Sequence, residues 1–359
     1  MADVLRPKLL VLELWGLGDL TFSTPLLREA VERYAVTLVA KAHARPLLSA
    51  TFPTIRFIPY EAPWSAYRGK YRLWAWRWPI LLALMSRLRR ASFDAAVSVR
   101  NDPRDHFLMW LTGATQRVGF PWKGSARFLN RPVQRSRPKQ HKVEDWRDLG
   151  RALALPGIDH AEPHLNHPAY RSAKVNALLA DQRASGKPLV ILHPGARIAV
   201  RRWPESHFAA IVAKLRAEFD FHLALIADPD GYGLGLAPIC DQVLPGLTVD
   251  ELVDVLGRVD FLLCNDSGPG HLAASCGRPA LVVFGPTDPD WFRPWGEQHH
   301  LIIQDICPWR PCFDYCLFRE PYCITKLLPE AAWIPLREHL QKLMEAGTIA
   351  TQPRVASIA

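Results

Sequence analysis

The chain has 359 residues, of which 49% are hydrophobic and 22% are charged, and its formal net charge at pH 7 is +9. This apolar content excludes a disordered chain, and the length is sufficient for two domains of ordinary size. The positive charge favours an acidic partner, such as nucleotide phosphates or anionic lipid head groups. No zinc-finger, RNA-recognition or basic-zipper signature supports binding to nucleic acid.

The sequence predicts a cytoplasmic protein. Its first residues, MADVLRPKLLVLELWGLGD, lack the order of basic, apolar and small residues that marks a signal peptide. No run of about 18 apolar residues predicts a membrane span. The run from Pro79 to Met85 is apolar but far too short to cross a bilayer.

Strand and helix patterns alternate in the first half. Residues 9–14 are apolar except for one acid, which is typical of a central parallel strand. We predict turns at 15–19 and 101–104, and a linker at 156–170, which is rich in Pro and His. The predicted strands are 9–14, 36–40, 93–99 and 116–120, and the predicted helices are 24–34 and 141–155.

The second half repeats the alternation. The predicted strands are 188–192, 223–227, 261–264 and 280–284, and the predicted helices are 206–219, 248–256, 271–277 and 329–346. Such alternation predicts parallel sheets with helices on both faces. The fold class is therefore α/β, with two Rossmann-like domains facing across a cleft. We expect domains at 1–165 and 166–328, followed by a C-terminal helix and tail at 329–359.

Residues 264–285, CNDSGPGHLAASCGRPALVVFG, are the most informative segment of the chain. A strand, a small-residue turn at 265–270 and a helix from His271 predict an anion site, because backbone N–H groups and the helix dipole favour negative charge there. Asp266 at the edge of this site can hold a sugar hydroxyl. The combination favours a nucleotide sugar. An oxidoreductase is disfavoured, because the third Gly of the dinucleotide fingerprint is missing after residues 16–18.

Several segments, in this order and spacing, resemble glycosyltransferase family nine, the heptosyltransferase group. They are Gly16-Leu17-Gly18-Asp19 with Ser23-Thr24-Pro25, Arg117-Val118-Gly119-Phe120, His193-Pro194-Gly195-Ala196, Arg201-Arg202-Trp203-Pro204-Glu205, residues 265–274, and Phe284-Gly285-Pro286-Thr287. The resemblance extends from about residue 8 to about residue 328. The signature at 265–274 is specific, whereas the first motif alone would be weak.

The resemblance implies a GT-B type fold, in which the first domain binds the acceptor and the second binds the nucleotide sugar. It also implies inverting transfer, without metal or cofactor, from ADP-heptose to a lipopolysaccharide core or another lipid-linked saccharide. The sequence departs from the family at Ser267, where Thr is common, at Phe22, near a position often held by His, and in the Gly-rich segment 228–235. The last departure leaves the base and the sugar open. A nucleotide-sugar-binding protein without transferase activity and an epimerase of similar architecture are the alternatives.

By the resemblance, Asp19 is the catalytic base that takes the proton of the acceptor hydroxyl. It follows the first strand, where a doubly wound sheet places its ligand. The alternative is that Asp19 only caps the helix after it. Gly16 and Gly18 would let the backbone approach the acceptor or the diphosphate, or would only form a tight turn.

The resemblance also supplies the donor-binding residues. Arg201 aligns with the family's phosphate-binding Lys, and Arg is always charged and can bind phosphate in a bidentate way. A solvated basic surface is the alternative for this residue. The further donor-binding candidates are Arg197, Asp230, Asp266, Ser267, Gly268 and His271. For His271 a buried structural role is the alternative, and for Asp230 it is a simple turn.

Cys307, Cys312, Cys316 and Cys323 form a C-x4-C-x3-C-x6-C cluster. Four clustered thiols in a cytosolic chain favour metal over disulfides, but the spacing does not match a common zinc knuckle. Similar clusters occur in relatives of the resembled family. Bound zinc, an iron–sulfur cluster and reduced thiols in a packed loop all stay open.

Residues 61–90 mix aromatic and basic side chains with one acid, Glu61. The aromatic residues include Trp64, Trp74, Trp76 and Trp78, and the basic residues are Arg68, Lys70, Arg72, Arg77, Arg87, Arg89 and Arg90. On a helix this mixture suits an anionic membrane surface. We therefore expect peripheral association with the inner face of the cytoplasmic membrane. An ordinary helix that packs its Trp residues inward is the alternative.

Overall fold

The computed structural model describes residues 6–66, 71–166, 172–313, 315–350 and 352–353. The chain divides into two compact units, Met1–Leu165 and Asn166–Ala359. Part of the predicted linker, residues 167–170, lies outside the described residues. Each unit contains a six-stranded sheet, so the α/β fold class is confirmed.

The first unit alternates strands and helices along the chain. Its elements are β1 (Lys8–Glu13), α1 (Leu17–Arg33), β2 (Ala35–Ala40), α2 (Ala44–Leu48), β3 (Arg56–Pro59), α3 (Trp78–Ala91), β4 (Ala95–Ser98), α4 (Pro103–Leu111), β5 (Gln116–Gly119), β6 (Arg131–Pro132) and α5 (Lys142–Ala152). The sheet order is β3-β2-β1-β4-β5-β6, and every pair is parallel. The strand order reverses at β1 and β4, which is where such sheets bind ligands beyond their carboxyl ends.

Helix α1 begins at Leu17, so the predicted turn ends before residue 17 instead of reaching residue 19, and the predicted helix start at Thr24 is wrong. Pro25 lies inside the helix and has no N–H to donate to the carbonyl of Thr21. The hydroxyl of Thr24 donates to that carbonyl instead, at 2.7 Å. A side-chain hydrogen bond therefore replaces the missing backbone bond and the helix continues through the proline.

The second unit repeats the architecture. Its elements are α6 (Ala173–Leu178), α7 (Ala180–Ser185), β7 (Leu189–His193), α8 (Glu205–Glu218), β8 (Phe219–Asp220), β9 (His222–Leu225), β10 (Gln242–Val243), α9 (Val249–Leu256), β11 (Phe261–Asn265), α10 (Gly268–Ser275), β12 (Ala280–Val283), α11 (Pro289–Phe292), β13 (His300–Ile302), α12 (Tyr322–Thr325), α13 (Pro329–Glu345) and β14 (Gln352–Pro353). The parallel sheet has the order β10-β9-β7-β11-β12-β13, and its order reverses at β7 and β11. Strands β8 and β14 form a separate antiparallel pair.

The core of the second unit lies between its sheet and the helices α8 and α13. Trp203 and Phe208 are fully buried there, and the Nε1 of Trp203 donates to the carbonyl of Leu327 at 2.8 Å. Leu336 and Leu340 of α13 belong to the same cluster. The final helix therefore packs into the core of this unit.

One further helix begins earlier than predicted, and another was not predicted at all. Helix α10 begins at Gly268 rather than His271, because Pro269 fits the first turn of a helix. Helix α4 begins at Pro103, inside the turn predicted at 101–104, and the Asp102 carboxylate accepts from the backbone N–H of Arg104 at 2.9 Å. Both starts use an ordinary N-terminal helix signal.

Within the described part of the chain, no helix is both long enough and apolar enough to span a bilayer.

Candidate active site residues in the two units

Asp19 lies in the first turn of α1, just beyond the carboxyl end of β1. One of its carboxylate oxygens, Oδ2, accepts from the backbone N–H of Gly16 at 3.0 Å. The capping contact that was the alternative to catalysis is therefore present. It holds the half-buried carboxylate at the position where a doubly wound sheet binds its ligand.

Gly16 and Gly18 do not adopt the left-handed backbone of a glycine turn. Gly16 has φ −92°, and Gly18 lies within α1. A Cβ on Gly16 would lie 3.2 Å from Oδ2 of Asp19. At Gly16 the missing side chain thus leaves room for the carboxylate to reach the backbone.

Glu13, the single acid of the first strand, is buried at the end of β1 with only 1% of its surface exposed. Its Oε1 accepts from the backbone N–H of Trp15 at 2.8 Å, whereas its Oε2 has no hydrogen-bond partner among the described residues. Burial, and then the negative charge of Asp19, raise the pKa of Glu13 to about 8. This side chain is therefore mostly protonated at neutral pH.

A second buried acid lies beyond β4. Asp105 is fully buried, and it accepts from the Nε1 of Trp64 at 2.6 Å and from the hydroxyl of Ser98 at 3.3 Å. The guanidinium of Arg100 lies 3.2 Å from Asp105 and 3.3 Å from Asp102. Burial raises the pKa of Asp105 to about 6, although Arg100 opposes the shift.

Glu13, Arg100 and Asp105 were not predicted as site residues from the sequence. A signal for Glu13 was present, because a carboxyl inside an otherwise apolar parallel strand must be buried. Arg100 and Asp105 gave no comparable signal, since each sits in an ordinary polar segment. Only the pairing of β1 with β4 brings the ends of the two strands together.

In the second unit, Asn265 connects the ends of two neighbouring strands. It is fully buried at the end of β11, its Nδ2 donates to the carbonyl of Pro194 at 2.5 Å, and its Oδ1 accepts from the backbone N–H of Trp203 at 3.1 Å. This amide fixes the loop after β7 against the turn after β11. The loop carries Arg201, so Asn265 also helps to position that residue.

Asp266 follows immediately and is only 3% exposed. Its Oδ2 accepts from the hydroxyl of Thr287 at 2.6 Å and from Nη1 of Arg201 at 3.3 Å. The structure thus brings together the predicted sugar-binding acid and the predicted phosphate-binding arginine. Thr287 belongs to the last of the resembling motifs but was not predicted as a site residue.

The start of α10 lies beside this pair. Ser267 is the N-cap residue of this helix. Its hydroxyl donates to the carbonyl of Asn265 at 3.1 Å, and among the described residues it makes no hydrogen bond with the first amides of the helix. Gly268 is the first helical residue, and His271 is buried in the same turn. The turn amides and the positive end of the helix dipole therefore lie next to Asp266 and Arg201.

The other predicted donor contacts lie in a different arrangement. Arg197 is exposed, whereas Arg202 pairs with Asp228 at 3.0 Å and with Asp230 at 2.7 Å. Asp230 also accepts from the backbone N–H of Tyr232 at 3.0 Å, and the hydrogen bond from Arg202 lowers its pKa. The Asp230 carboxylate is thus held by Arg202 and by the backbone of its own loop.

His193 and Asp228 meet at the ends of β7 and β9. The Nε2 of His193 lies 3.6 Å from Oδ1 of Asp228, and burial lowers the pKa of the imidazole despite this neighbour. Gly195 passes so close that a Cβ there would lie 2.2 Å from the Asp228 carboxyl carbon. The His-Pro-Gly segment therefore packs directly on this acid.

All seven cysteines are free thiols. Cys307 and Cys323 are buried in the core of the second unit, and Cys312 and Cys316 are half-buried. Burial raises the pKa of Cys323 to about 11, and the neighbouring thiols add to the shift. Among the described residues, no group of three or more His, Cys, Asp or Glu side chains is arranged to hold a metal ion.

This chain is similar to known proteins in both sequence and structure. The model of glycosyltransferase family 9 (heptosyltransferase) matches residues 81–322. Lipooligosaccharide heptosyltransferase 2 of Haemophilus ducreyi is 24% identical over 319 residues, which cover 82% of this chain and 88% of that protein. Escherichia coli ADP-heptose LPS heptosyltransferase II has a TM-score of 0.69 at 21% identity, covering 94% of this chain and 99% of that one. E. coli heptosyltransferase WaaC with ADP has a TM-score of 0.64 at 21% identity, covering 92% and 99%.

The family match extends over well more than half of the chain. The chain therefore belongs to glycosyltransferase family 9 and is a glycosyltransferase of the heptosyltransferase type. The resemblance read from the sequence motifs is confirmed. The similar structures are GT-B type heptosyltransferases, which confirms the fold class of two parallel-sheet α/β domains.

Proposed function

We propose that this protein transfers heptose, or a related sugar, from ADP-heptose to a lipopolysaccharide core or another lipid-linked saccharide, with inversion and without a metal ion. The observation that carries the proposal is the Asp266 site, where a buried carboxylate, Arg201 and the start of α10 lie together. A carboxylate beside donors for phosphate matches a ligand that joins sugar hydroxyls to a diphosphate. The ADP complex of the similar E. coli WaaC supports an adenine nucleotide.

In the donor unit, residues 166–328, Asp266 would hold hydroxyls of the transferred sugar. The amides of Ser267 and Gly268 would hold the distal phosphate, and Arg201 would neutralise the charge that develops as the C1–O bond to the diphosphate breaks. His271 would line the same turn. Arg197 and Asp230 are weaker contacts in this proposal, because one is exposed and the other is already held by Arg202.

In the acceptor unit, residues 1–165, Asp19 would act as general base. It would take the proton of the acceptor hydroxyl while that oxygen bonds to C1 from the face opposite the departing ADP. Gly16 and Gly18 would keep the backbone close to the bound groups. The raised pKa of Glu13 keeps this neighbour neutral, so it adds no second negative charge beside the base.

The enzyme would work in the cytoplasm, attached peripherally to the inner face of the membrane that carries its acceptor. No cofactor takes part in the transfer, and nucleic acid is not a partner. The four-cysteine cluster would have a structural role in the second unit, since Cys307 and Cys323 are part of its core.

The test is turnover of ADP-heptose by the purified full chain with deacylated or truncated lipopolysaccharide core. ADP release and product mass would be followed with and without a chelator and without added metal. We expect ADP release together with a heptose mass increment on the acceptor, unchanged by the chelator.

Other outcomes would replace the proposal. Donor binding without turnover across varied acceptors would identify a nucleotide-sugar-binding protein. Isomerised free nucleotide sugar, formed without any acceptor, would identify an epimerase. Loss of activity with chelator, restored by a divalent cation, would overturn the metal-independent mechanism.

A further inference from the structure

A basic stretch of sequence lies between Glu61 and Asp94. Residues 62–93 contain seven Arg and Lys residues and no Asp or Glu. Arg68 and Lys70 lie outside the described residues. The remaining five side chains are exposed, and none forms an ion pair with a described carboxylate: Arg72, Arg77, Arg87, Arg89 and Arg90. Their charge is thus available to an anionic partner.

Some Trp residues of this stretch pack inward and others are exposed. Trp64 is buried and donates to Asp105 at 2.6 Å. Trp76 packs between Trp64 and Trp78, with ring centroids 5.4 Å and 5.3 Å apart. Trp74 is 82% exposed and Trp78 is 43% exposed. The buried Trp64 therefore anchors a row of rings that ends at the exposed Trp78, and Trp74 faces solvent separately.

Helix α3 carries exposed apolar side chains beside its buried stripe. Leu81, Leu84 and Leu88 are buried in the core of the first unit at helical spacing. Ile80 and Leu82 are nevertheless 43% and 58% exposed. A helix on the surface of a soluble domain normally carries one apolar stripe. Ile80 and Leu82 lie on opposite flanks of the buried stripe, about 160° apart around the helix, so exposed apolar surface borders the stripe on both sides.

The exposed aromatic surface continues onto α4. Phe107 and Trp110 are 42% and 47% exposed, and their rings stack with centroids 5.8 Å apart. The guanidinium of Arg104, in the first turn of α4, lies over the ring of Tyr71 at 5.7 Å. Arg89 of α3 donates to the carbonyl of Leu111 at 3.1 Å. These contacts join the two helices into one surface.

We propose that this α3–α4 surface docks on an anionic lipid bilayer. We define the surface by its exposed apolar residues, which are Tyr71, Trp74, Trp78, Leu82, Phe107 and Trp110. The arginines around it would contact lipid phosphates while the rings and aliphatic side chains enter the boundary between head groups and acyl chains. This docking rests on the proposed function, because a lipid-linked acceptor would be bound at a membrane surface.

Charge favours a bilayer over a protein as the occupant. A stretch with seven basic residues and no acid matches a uniformly anionic surface, whereas protein interfaces usually pair charges of both signs. Trp and Tyr are also enriched where membrane proteins meet the lipid–water boundary. The exposed arginines and the exposed rings thus point to the same partner.

The experiment is co-sedimentation of the full chain with vesicles, without donor or acceptor sugar. One vesicle type is phosphatidylcholine alone, and the other is phosphatidylcholine mixed with phosphatidylglycerol. We expect binding to the anionic vesicles, weaker binding in high salt, and little binding to the neutral ones. Trp74→Ala should lower the partition coefficient by about tenfold. Arg72→Gln should lower it by about fivefold.

Matched controls come from the second unit. Leu317 is 71% exposed and Arg319 is also exposed, so Leu317→Ala and Arg319→Gln remove an exposed apolar group and an exposed charge outside the α3–α4 surface. Both controls should bind vesicles like the unaltered protein. Leu82→Ser provides a second test on α3 that does not depend on an aromatic ring.

Three results would overturn the proposal. The first is unchanged vesicle binding by both Trp74→Ala and Leu82→Ser. The second is loss of turnover by Trp74→Ala on a soluble, deacylated acceptor, which would make the surface part of the acceptor site. The third is a dimer in light scattering that Trp74→Ala dissociates, which would make a second copy the occupant. Vesicle binding is measured without sugars, so failure of heptose transfer would leave this test unaffected.

Discussion

The two candidate sites occupy corresponding places in their sheets, but the hydrogen bonds to their buried acids differ. Both sites lie where the strand order reverses, beyond β1 and β4 in the first unit and beyond β7 and β11 in the second. In the second unit, Asp266 accepts from the hydroxyl of Thr287 and from Arg201. In the first, the Oε2 of Glu13 has no hydrogen-bond partner among the described residues.

This difference in hydrogen bonding bears on the charge of Glu13. Donors aimed at a buried carboxylate favour its ionised form, whereas burial without enough donors favours the protonated form. Asp266 has a hydroxyl and a guanidinium within reach, and Glu13 has one backbone N–H. The first unit therefore places a neutral acid beside Asp19, whereas the second places a carboxylate against a hydroxyl and a guanidinium.

The largest effect is expected from Asp19→Asn. Removal of a general base costs about 10²- to 10⁴-fold in turnover, so we expect kcat to fall by about 10³-fold. Binding of ADP, measured by calorimetry, should stay nearly unchanged. Asp181→Asn, the same chemical change at an exposed position in α7, serves as the control. A fully active Asp19→Asn enzyme would refute the assignment of the base.

A smaller effect is expected when the fixed charge pair of the second unit is broken. Arg201→Ala should weaken ADP binding by about 10- to 100-fold, the usual range for a hydrogen bond to a charged group. Arg197→Ala is the comparison, because Arg197 lies a few residues away and is exposed. We expect its effect to be much smaller. Equal losses for both variants would show that positive charge in general binds the nucleotide, rather than the guanidinium of Arg201 in its position beside Asp266.

The smallest effect, on stability, is expected from Glu13→Gln. The pKa of Glu13 is raised from its ordinary value of 4.5 to about 8. Between these values the unfolded chain releases a proton that the native protein keeps, so native stability falls as the pH rises. Glutamine does not titrate. The melting temperature of Glu13→Gln relative to the unaltered protein should therefore rise between pH 5 and pH 8, on the order of 5 °C.

The control for this pH series is Glu320→Gln, which removes an exposed carboxyl in the second unit. A difference in melting temperature that does not change with pH would mean that Glu13 is ionised in the folded protein. The contrast between the two sites would then be lost.

The sequence alone determined the alternation of elements and the position of the nucleotide-binding turn. Strands predicted at 36–40, 261–264 and 280–284 agree within one residue at each end with β2, β11 and β12. Apolar runs bounded by turn residues are local signals, so no tertiary information was needed to find them. The edge strands β3, β6, β10 and β13 were not predicted, because short strands at the rim of a sheet carry little of that pattern.

Tertiary structure decided which residues meet. Arg201 and Asp266 are separated by 65 positions in sequence and reach 3.3 Å only because β7 and β11 are neighbours. Strand pairing likewise brings the end of β1, with Glu13, next to the end of β4. Local patterns identified the residue types but could not show these distances.

Exposure was also decided by the fold rather than by residue type. Trp64 and Trp74 belong to the same short segment, yet one is 4% exposed and the other is 82% exposed. An apolar side chain in a sequence predicts burial against some partner without saying what that partner is. Trp64 finds its partner inside the first unit, where Asp105 accepts its N–H. Only the packed structure shows that the described residues leave Trp74 facing solvent, because burial depends on contacts between segments far apart in the chain.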